Sequence, residues 1–455
     1  MVTSGIELPT ADGRCRIAAA LPPDSLLDVC REQLRSVEPQ VRRRWRYCQA
    51  IEALYHPERY VRVAYVLLAD AAIRPERYWP KGDIVYLHWP ARRPISRRGT
   101  LIRIGGCDVE AYCFPNDRRL RGLRKLTGRT TLARLWQSWI ERSGTPAQVD
   151  SRTLRRVLIR YVPEHKFVAR LQARALREQS DDADGPSIAV RASSPETCQV
   201  LARRHRIVAG RARKASKFLY VPDAVVADAA GGLVAVEWVP GRSLLEKLET
   251  GEFTTVMRRM ARTLRSFHRL PAAGLERLLP HDVYRPVENA VSDLGSTCPD
   301  LKSRLTVLAS ELRERLEEVG DVEPATLHND LHWDQMRIRR KRYAVLDLDR
   351  MCLGDPLIDV ANFTTQVRML GHRPEHNVNA ASATRWAGEF LEQWASAVGR
   401  PVAPRRFRLY AAVSLLRLAR GMMRHLRPGW RALARRCVEQ AEAELSSSGR
   451  EVVVA

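Results

Sequence analysis

The stretch from Thr326 to Phe363 constrains this chain more than any other part of its sequence. It places Asp330, Gln335 and Asp347 on what read as two adjacent loops joined by a short hairpin. One carboxylate in such a set can orient a hydroxyl group and take its proton. A second carboxylate together with an amide can hold a divalent metal ion. Groups of these types at this spacing are what phosphoryl transfer from a magnesium nucleotide requires.

The composition is that of an ordinary globular protein. The chain has 455 residues, of which 45% are hydrophobic and 28% are charged, so we expect two or three folded units. No apolar run approaches the roughly 18 residues of a membrane span, and the first residues lack the pattern of a secretory signal. We therefore expect a soluble, cytoplasmic protein without a membrane partner. The nine scattered cysteines include no CxxC pair, which argues against a zinc motif and a disulfide framework.

The net charge of +24 raises the question of nucleic-acid binding. Only eight of the 76 basic residues are lysine, and the arginines are spread over the whole chain. No basic tail, zinc finger or aromatic-interleaved basic patch is present in the sequence, so the pattern does not favour a nucleic-acid partner. A generally positive surface that attracts anions such as nucleotides is the more modest inference.

Three regions follow one another along the chain. Residues 1–150 read as an accessory α/β region of unknown role, which could act as a scaffold, cover a substrate or bind a protein partner. Residues 151–240 are rich in strands and end in a hinge at 237–241. Residues 241–455 are mainly helical. The predicted fold class is therefore α+β, with a small β-rich lobe and a larger helical lobe.

Local patterns place several elements. Helical apolar spacing runs from Leu26 to Leu54, and short apolar runs predict strands over 84–89, 100–104 and 187–191. The Ser194-Pro195-Glu196 sequence is typical of the start of a helix, with proline in the first turn and an acid at the positive end of the helix dipole.

Four segments resemble the aminoglycoside phosphotransferase and choline kinase superfamily, which shares the protein-kinase fold. HNDLHWDQ is similar to its catalytic loop, and VLDLDRMCLGDPLIDVANF is similar to its metal-binding strand and the helix that follows. LVAVEWVPGRSL resembles its inter-lobe hinge, and LRSFHRL resembles a helix that precedes the substrate region. These matches occur in the expected order, and the resemblance as a whole covers residues from about 154 to 430.

The resemblance implies roles for the residues of the opening stretch. Asp330 corresponds to the catalytic aspartate, and Asp347 corresponds to the aspartate that binds Mg²⁺. Asp349, two residues further on and expected on the same side of the strand, is a rival for the metal. Gln335 stands where the family most often has asparagine, and a glutamine carbonyl can also bind Mg²⁺.

Other polar residues of the same stretch have structural roles in this interpretation. His328 braces the loop, whereas His332 either approaches the substrate or is an exposed loop residue. Gly354, Asp355 and Pro356 make a turn. Asp359 ties the following helix to the catalytic loop through backbone hydrogen bonds.

The resemblance also implies an ATP site, although with changed residues. Arg191 stands where the family has a lysine that grips phosphates, and Glu196 is the nearest candidate partner for it. Lys166 is an alternative cation, and it belongs to a Pro-Glu-His-Lys turn that lacks the glycines expected of a phosphate-covering loop. Glu237, Trp238 and Val239 would read the adenine through their main-chain groups.

The predicted function is ATP- and Mg²⁺-dependent phosphorylation of a hydroxyl on a small molecule. From residue 351 onward the chain has fifteen arginines against nine acidic residues, which favours a sugar, a sugar-like metabolite or an anionic acceptor over a polycationic aminoglycoside. Three alternatives stay open: a degenerate kinase that serves as a nucleotide-binding scaffold, a kinase acting on a peptide or protein hydroxyl, and a nucleic-acid binder.

Overall fold

The computed structural model describes most of the chain with a mixture of helices and antiparallel sheets, so the predicted α+β class is confirmed. The described residues are 23–34, 42–57, 59–69, 84–89, 97–104, 106–143, 153–172, 187–228, 230–249, 253–271, 273–339 and 341–446. Within these ranges, no helix is both long enough and apolar enough to cross a bilayer.

The chain divides into two compact units. The first takes in residues up to Arg203 together with 223–238 and 424–426, and the second takes in 204–222, 239–423 and 427 to the end. The division runs through helix α4, which spans Pro195–Ala215.

The first unit begins with helix α1 and a five-stranded antiparallel sheet in the order β1-β2-β3-β5-β4. Helix α1 spans Pro23–Gln33, and the strands are β1 Tyr47–His56, β2 Tyr60–Leu68, β3 Ile84–Trp89, β4 Thr100–Ile104 and β5 Cys107–Cys113. The continuous helical reading from Leu26 to Leu54 is therefore wrong for residues 47–54, which lie in β1. Residues 47–56 form a strand because they pair along their full length with β2, and such pairing outweighs a weak local preference.

A second antiparallel sheet in this unit has the order β10-β11-β8-β7-β6. Its strands are β6 Arg155–Val162, β7 Lys166–Gln172, β8 Ser187–Ala192, β10 Ala224–Asp228 and β11 Leu233–Glu237. Two helices, α2 Leu123–Thr127 and α3 Arg129–Ser143, lie between the two sheets in the chain.

One apolar core joins the two sheets of the first unit. Tyr86 and Phe114 come from the first sheet region, Trp136 comes from α3, and Phe167 and Val190 come from the second sheet. The Phe114 and Phe167 rings stack at 5.5 Å, and the Tyr86 ring meets the Tyr161 ring edge-on at 6.3 Å. The described residues on either side of position 150 therefore bury their side chains against one another.

The second unit is mainly helical. Its helices after α4 are α5 Leu244–Leu248, α6 Phe253–His268, α7 Pro280–Thr297, α8 Lys302–Glu317, α9 Leu357–Arg368, α10 Ala380–Val398, α11 Pro404–Arg424 and α12 Trp430–Ser446. Side-chain caps mark two of the starts, because Ser243 and Glu246 form a reciprocal capping box on α5 and Asn379 accepts from Ser382 N–H at 2.7 Å on α10.

Short strands interrupt these helices where the opening stretch of the sequence lies. A four-stranded sheet has the order β12-β14-β15-β9, and β13 pairs with β16. The strands are β9 Leu219–Tyr220, β12 Arg242–Ser243, β13 Ala325–Leu327, β14 Met336–Arg339, β15 Arg342–Val345 and β16 Cys352–Gly354. The hairpin of β14 and β15 is the one that the sequence predicts between the two loops.

Candidate active site

The β14–β15 hairpin brings Gln335 and Asp347 together. Met336 pairs with Val345 at its open end, and the Leu346 N–H donates to the Gln335 carbonyl at 3.0 Å. This register sets the two flanking side chains side by side, with Gln335 Nε2 3.4 Å from Asp347 Oδ2. At that distance any direct hydrogen bond is weak. Turning the amide about its last bond would present its oxygen to the same point as the carboxylate.

Asp347 lies in a turn, not on the strand. The strand ends at Val345, and Asp347 has φ +57° in the left-handed region, where aspartate is tolerated better than most residues. Residues Leu348–Arg350 then form a 3₁₀ turn. The expectation that Asp349 shares one strand face with Asp347 is therefore wrong, because the alternation of a strand does not continue past Val345.

Arg204 of α4 holds this 3₁₀ turn. Its Nη1 donates to the Leu348 carbonyl at 3.2 Å and also to the Asp349 carbonyl. Two carbonyl groups fixed by one guanidinium keep the turn after Asp347 in a single shape, and this restricts where the Asp347 carboxylate can point.

Asp359 braces the loop that carries Asp330. The fully buried Asp359 carboxylate accepts the His328 N–H and the Asn329 N–H, each at 2.8 Å, and lies 3.2 Å from His268 Nε2. Burial alone would raise the pKa of Asp359, but the hydrogen bond from His268 and the donors of the loop outweigh it and hold the pKa below its usual value. The predicted tie between this helix and the loop of Asp330 is confirmed.

Further contacts fix the same loop from other sides. His328 is buried, and its Nε2 lies 2.7 Å from the Leu346 carbonyl, so the predicted bracing role of His328 is confirmed. Asn362 of α9 donates to the Leu331 carbonyl at 2.7 Å. Asn329 adopts φ +58°, a left-handed conformation that these surrounding contacts stabilise.

Two arginines flank the Asp330 carboxylate. Arg417 of α11 donates from Nη2 to Asp330 Oδ1 at 3.1 Å and to the Asn329 carbonyl at 3.1 Å. Arg350 Nε lies 3.8 Å from Asp330 Oδ2, which is too long for a hydrogen bond. The Asp330 side chain is 41% exposed, so one of its oxygens is anchored while the carboxylate still reaches solvent.

His332 caps the short 3₁₀ turn Trp333–Gln335. Its Nδ1 accepts the Asp334 N–H at 3.2 Å, which requires that nitrogen to be unprotonated. Burial lowers the pKa of His332, in agreement with a neutral ring. The contact assigns His332 a structural role in this loop.

The cationic residues predicted for the nucleotide lie in the first unit. Arg191 is buried on the central strand β8, and its Nε donates to Ser193 Oγ at 2.9 Å. Glu196 is in the first turn of α4, where its own backbone N–H and the Ser194 hydroxyl lower the pKa of its carboxylate. Among the described contacts, none joins Glu196 to Arg191.

Hydrogen bonds to other residues of the protein fix the Pro-Glu-His-Lys turn between β6 and β7. Glu164 has φ +60°, and its N–H donates to Asp117 Oδ2 at 3.0 Å, while the His165 N–H donates to the Val162 carbonyl at 3.0 Å. Lys166 pairs with Val162 at the start of β7. Two successive amides of this turn are thus already used in hydrogen bonds within the protein.

Asp117 fixes this turn to the N-terminal part of the first unit. Its Oδ2 also accepts the Tyr161 hydroxyl at 2.8 Å, and its Oδ1 accepts the N–H groups of Arg119 and Leu120 at 2.8 and 2.9 Å. The buried Glu164 carboxylate lies 3.3 Å from Arg62 Nη2. The shape of the turn therefore depends on residues that precede position 150.

Two of the predicted hinge residues form backbone hydrogen bonds within the protein. The Glu237 N–H donates to the Asp223 carbonyl at 3.1 Å, and the Trp238 N–H donates to the Ser187 carbonyl at 3.2 Å. The Arg170 guanidinium lies 4.9 Å from the centre of the Trp238 ring, within cation–π range. Of the three main-chain N–H groups at 237–239, two are therefore committed to backbone contacts.

A family model described as "Phosphotransferase enzyme family" matches residues 155–389, which is just over half of the chain. The chain belongs to this phosphotransferase family. The matched segment contains all the predicted site residues: Lys166, Arg191, Glu196, Glu237, Trp238, Val239, Asp330, Gln335 and Asp347. The resemblance inferred from the sequence is confirmed.

Solved structures give weaker likenesses. A choline/ethanolamine kinase family protein from Mesorhizobium loti is 17% identical over 61% of this chain and 85% of that one, with a TM-score of 0.43. A choline kinase from Cryptosporidium parvum is 11% identical over 68% and 94%, with a TM-score of 0.47. The aminoglycoside phosphotransferase APH(4)-Ia is 16% identical over 70% and 100%, with a TM-score of 0.44. A comparison with curated proteins gives no match.

Two residues near the predicted site groups of this family member, Arg417 and Asp117, could not be identified from the sequence. Arg417 lies in a largely apolar helical run from Ala411 to Met423, and a charged residue in such a run signals a buried partner. That signal does not say that the partner is Asp330. Asp117 reads only as a turn residue, because nothing local links it to Glu164.

Proposed function

We propose that the chain transfers the γ-phosphoryl group of ATP, with Mg²⁺, to a hydroxyl of a small molecule, such as a sugar or a sugar-like metabolite. The observation that carries the proposal is the pairing of Gln335 with Asp347 at 3.4 Å on the hairpin that follows the braced loop of Asp330. The family match over 155–389 supports the same reaction class.

Asp330 is the proposed catalytic carboxylate. Its partial exposure lets an acceptor hydroxyl approach, and its anchored Oδ1 leaves Oδ2 as the oxygen that would accept the hydroxyl hydrogen bond and take the proton. Since phosphoryl transfer depends mainly on positioning, the contacts that Asp359 and Asn362 make to this loop contribute to catalysis by holding it still.

Gln335 and Asp347 are the proposed magnesium ligands. In the described part of the chain, no cluster of three or more His, Cys, Asp and Glu residues could hold a metal by itself. Mg²⁺ in nucleotide enzymes takes only one or two protein oxygens and completes its shell with phosphates and water. One carboxylate and one amide that converge on a point fit this demand, and the bound ion would supply neutralisation of phosphate charge. Gln335 contacts Asp347, and this favours Asp347 over Asp349.

Side-chain cations would hold the phosphates of the nucleotide, and main-chain groups would hold its base. Arg191 and Lys166 are the proposed phosphate cations, with Glu196 assigned to the region around them by the family resemblance. Glu237, Trp238 and Val239 are proposed to read the base, through carbonyl groups and the N–H of Val239. Because the amides of Glu164 and His165 are already bonded, we assign the phosphates to guanidinium and ammonium groups instead of a backbone cradle.

Acceptor-dependent ADP release by the full chain tests this function. Sugars, nucleosides, choline and aminoglycosides would be screened with ATP and MgCl₂. Asp330→Ala and Asp347→Ala should abolish release with the fold retained, whereas Asp349→Ala and the exposed control Asp321→Ala should keep it. Full activity in both of the first two variants would disprove the site assignment.

A nucleotide-binding scaffold without transfer is the second candidate. The occupied turn amides and the Arg191 contact with Ser193 favour it, because both change the phosphate-binding half of the site. Thermal stabilisation by ATP with Mg²⁺, but no ADP release with any acceptor, would support this candidate. The absence of any stabilisation would argue against both functions.

A further inference from the structure

Helix α11 brings a buried guanidinium to the loop that carries Asp330. Arg417 Nη2 donates to the Asp330 carboxylate and to the Asn329 carbonyl, each at 3.1 Å. One side chain therefore holds the backbone carbonyl of Asn329 and the carboxylate of Asp330. Arg417 also lies beyond residue 389, outside the segment that the family model matches.

The two arginines beside Asp330 differ in burial and in contact. The Arg417 side chain is 15% exposed, whereas that of Arg350 is 56% exposed and approaches the Asp330 carboxylate no closer than 3.8 Å. A charge removed from water is screened less, so its interaction with a carboxylate is stronger and more fixed in direction. Arg417 is thus the arginine that can set the orientation of Asp330.

Helix α11 is itself anchored close to this residue. Arg420, one turn further on, places its Nε 2.7 Å from Asp293 Oδ2 of α7. The guanidinium of Arg417 is therefore carried by a helix that also has a contact separate from the Asp330 loop. It can act as a fixed reference for that loop.

We propose that Arg417 is a positioning residue for the reaction: it anchors Asp330 Oδ1 and the Asn329 carbonyl, so that Oδ2 faces the acceptor hydroxyl. This inference rests on the proposed function. It predicts that loss of Arg417 slows transfer but leaves nucleotide binding intact, because the phosphate and base contacts are assigned to other residues.

The test compares Arg417→Ala, Arg417→Lys and the control Arg406→Gln in the full chain. Arg406 lies on the same helix and pairs with Asp355 at 2.8 Å, so it controls for the loss of an ion pair on α11. For Arg417→Ala we expect kcat to fall about 100-fold with the KM for ATP changed less than about threefold, as for a misplaced catalytic group. Arg417→Lys should be intermediate, since lysine keeps the positive charge but its shorter side chain places the ammonium short of the Nη2 position that bonds both oxygens.

Guanidinium ion added to Arg417→Ala at millimolar concentration should restore part of the lost kcat and should not affect Arg406→Gln. An unchanged kcat in Arg417→Ala, or an equal loss in Arg406→Gln, would overturn the proposal. If the wild-type chain transfers no phosphate to any acceptor, the proposed function fails and the positioning role of Arg417 in transfer fails with it.

A measurement that needs no enzymatic turnover tests the contact even if the Arg417 variants lose activity only because they are less stable. Urea unfolding of Asp330→Asn, Arg417→Gln and the double variant gives their coupling, which we expect to be about tenfold in the unfolding equilibrium constant. Additive effects would mean that the two side chains do not interact, and would overturn the proposal independently of activity.

Discussion

Replacing Asp359 by asparagine removes the charge to which two backbone amides of the Asp330 loop donate. The carboxylate accepts the His328 and Asn329 N–H groups at 2.8 Å, one on each oxygen. Asparagine keeps one oxygen and turns an NH₂ group toward the other N–H. Losing one charge-assisted bond and leaving a buried donor unsatisfied should cost about 3 kcal/mol in the free energy of unfolding.

Hydrogen exchange followed by mass spectrometry measures this cost where it arises. A loss of about 3 kcal/mol corresponds to roughly 100-fold faster exchange in peptides that cover 326–331. The control is Asp321→Asn, whose side chain is fully exposed and whose contact with Arg277 at 3.4 Å lies in water. Its effect should stay below about 0.5 kcal/mol.

The pH dependence of the stability difference between wild type and Asp359→Asn gives a second test of the Asp359 hydrogen bonds. Because the pKa of Asp359 is lowered in the folded protein, its contribution is fully present above the unfolded pKa of about 3.9 and is lost as the pH falls through the folded value. The difference between wild type and Asp359→Asn should therefore shrink in acid. Equal hydrogen exchange in wild type and Asp359→Asn at neutral pH would refute the stabilising role of Asp359.

Three other substitutions test separate parts of the structure. Gly241→Ala should cost about 3 kcal/mol or more, because φ is +132° and a Cβ would lie 2.4 Å from the Ile338 carbonyl oxygen, whereas Gly210→Ala in open helical surroundings should be neutral or stabilising in urea unfolding. Asp117→Asn should destabilise the first unit by about 2 kcal/mol, seen as faster exchange in the turn at 163–166. Gln335→Ala should raise the Mg²⁺ concentration needed for half-maximal ADP release about tenfold, as is typical when a metal site loses a ligand or its support, and an unchanged requirement would remove Gln335 from the metal site.

The parts of the site that lie close together in the chain could be predicted from the sequence. Gln335 and Asp347 flank the open end of one hairpin, and Asp330 lies on the loop just before it, so the order of loop, strand, turn and strand in the sequence is enough to place them on adjacent loops. The strands at 84–89 and 100–104 also match the predicted bounds, because short apolar runs between turn residues have few other solutions.

Contacts between distant residues could not be predicted in this way. Arg417 is 87 positions from Asp330, and in an arginine-rich chain no local pattern selects one guanidinium over another. The clamp of Asp117 on the Glu164 N–H spans 47 positions. Both depend on which surfaces the core brings together, and a single sequence does not contain that information in local form.

The common core of the two sheets sets a lower limit on the size of an expressible fragment. The family match begins at residue 155, but the rings of Phe167 and Tyr161 pack on Phe114 and Tyr86, which come earlier in the chain. A truncated chain that starts near 155 would carry these aromatic faces into water. We expect it to aggregate in bacterial expression, so the smallest soluble version of this phosphotransferase should retain the N-terminal sheet.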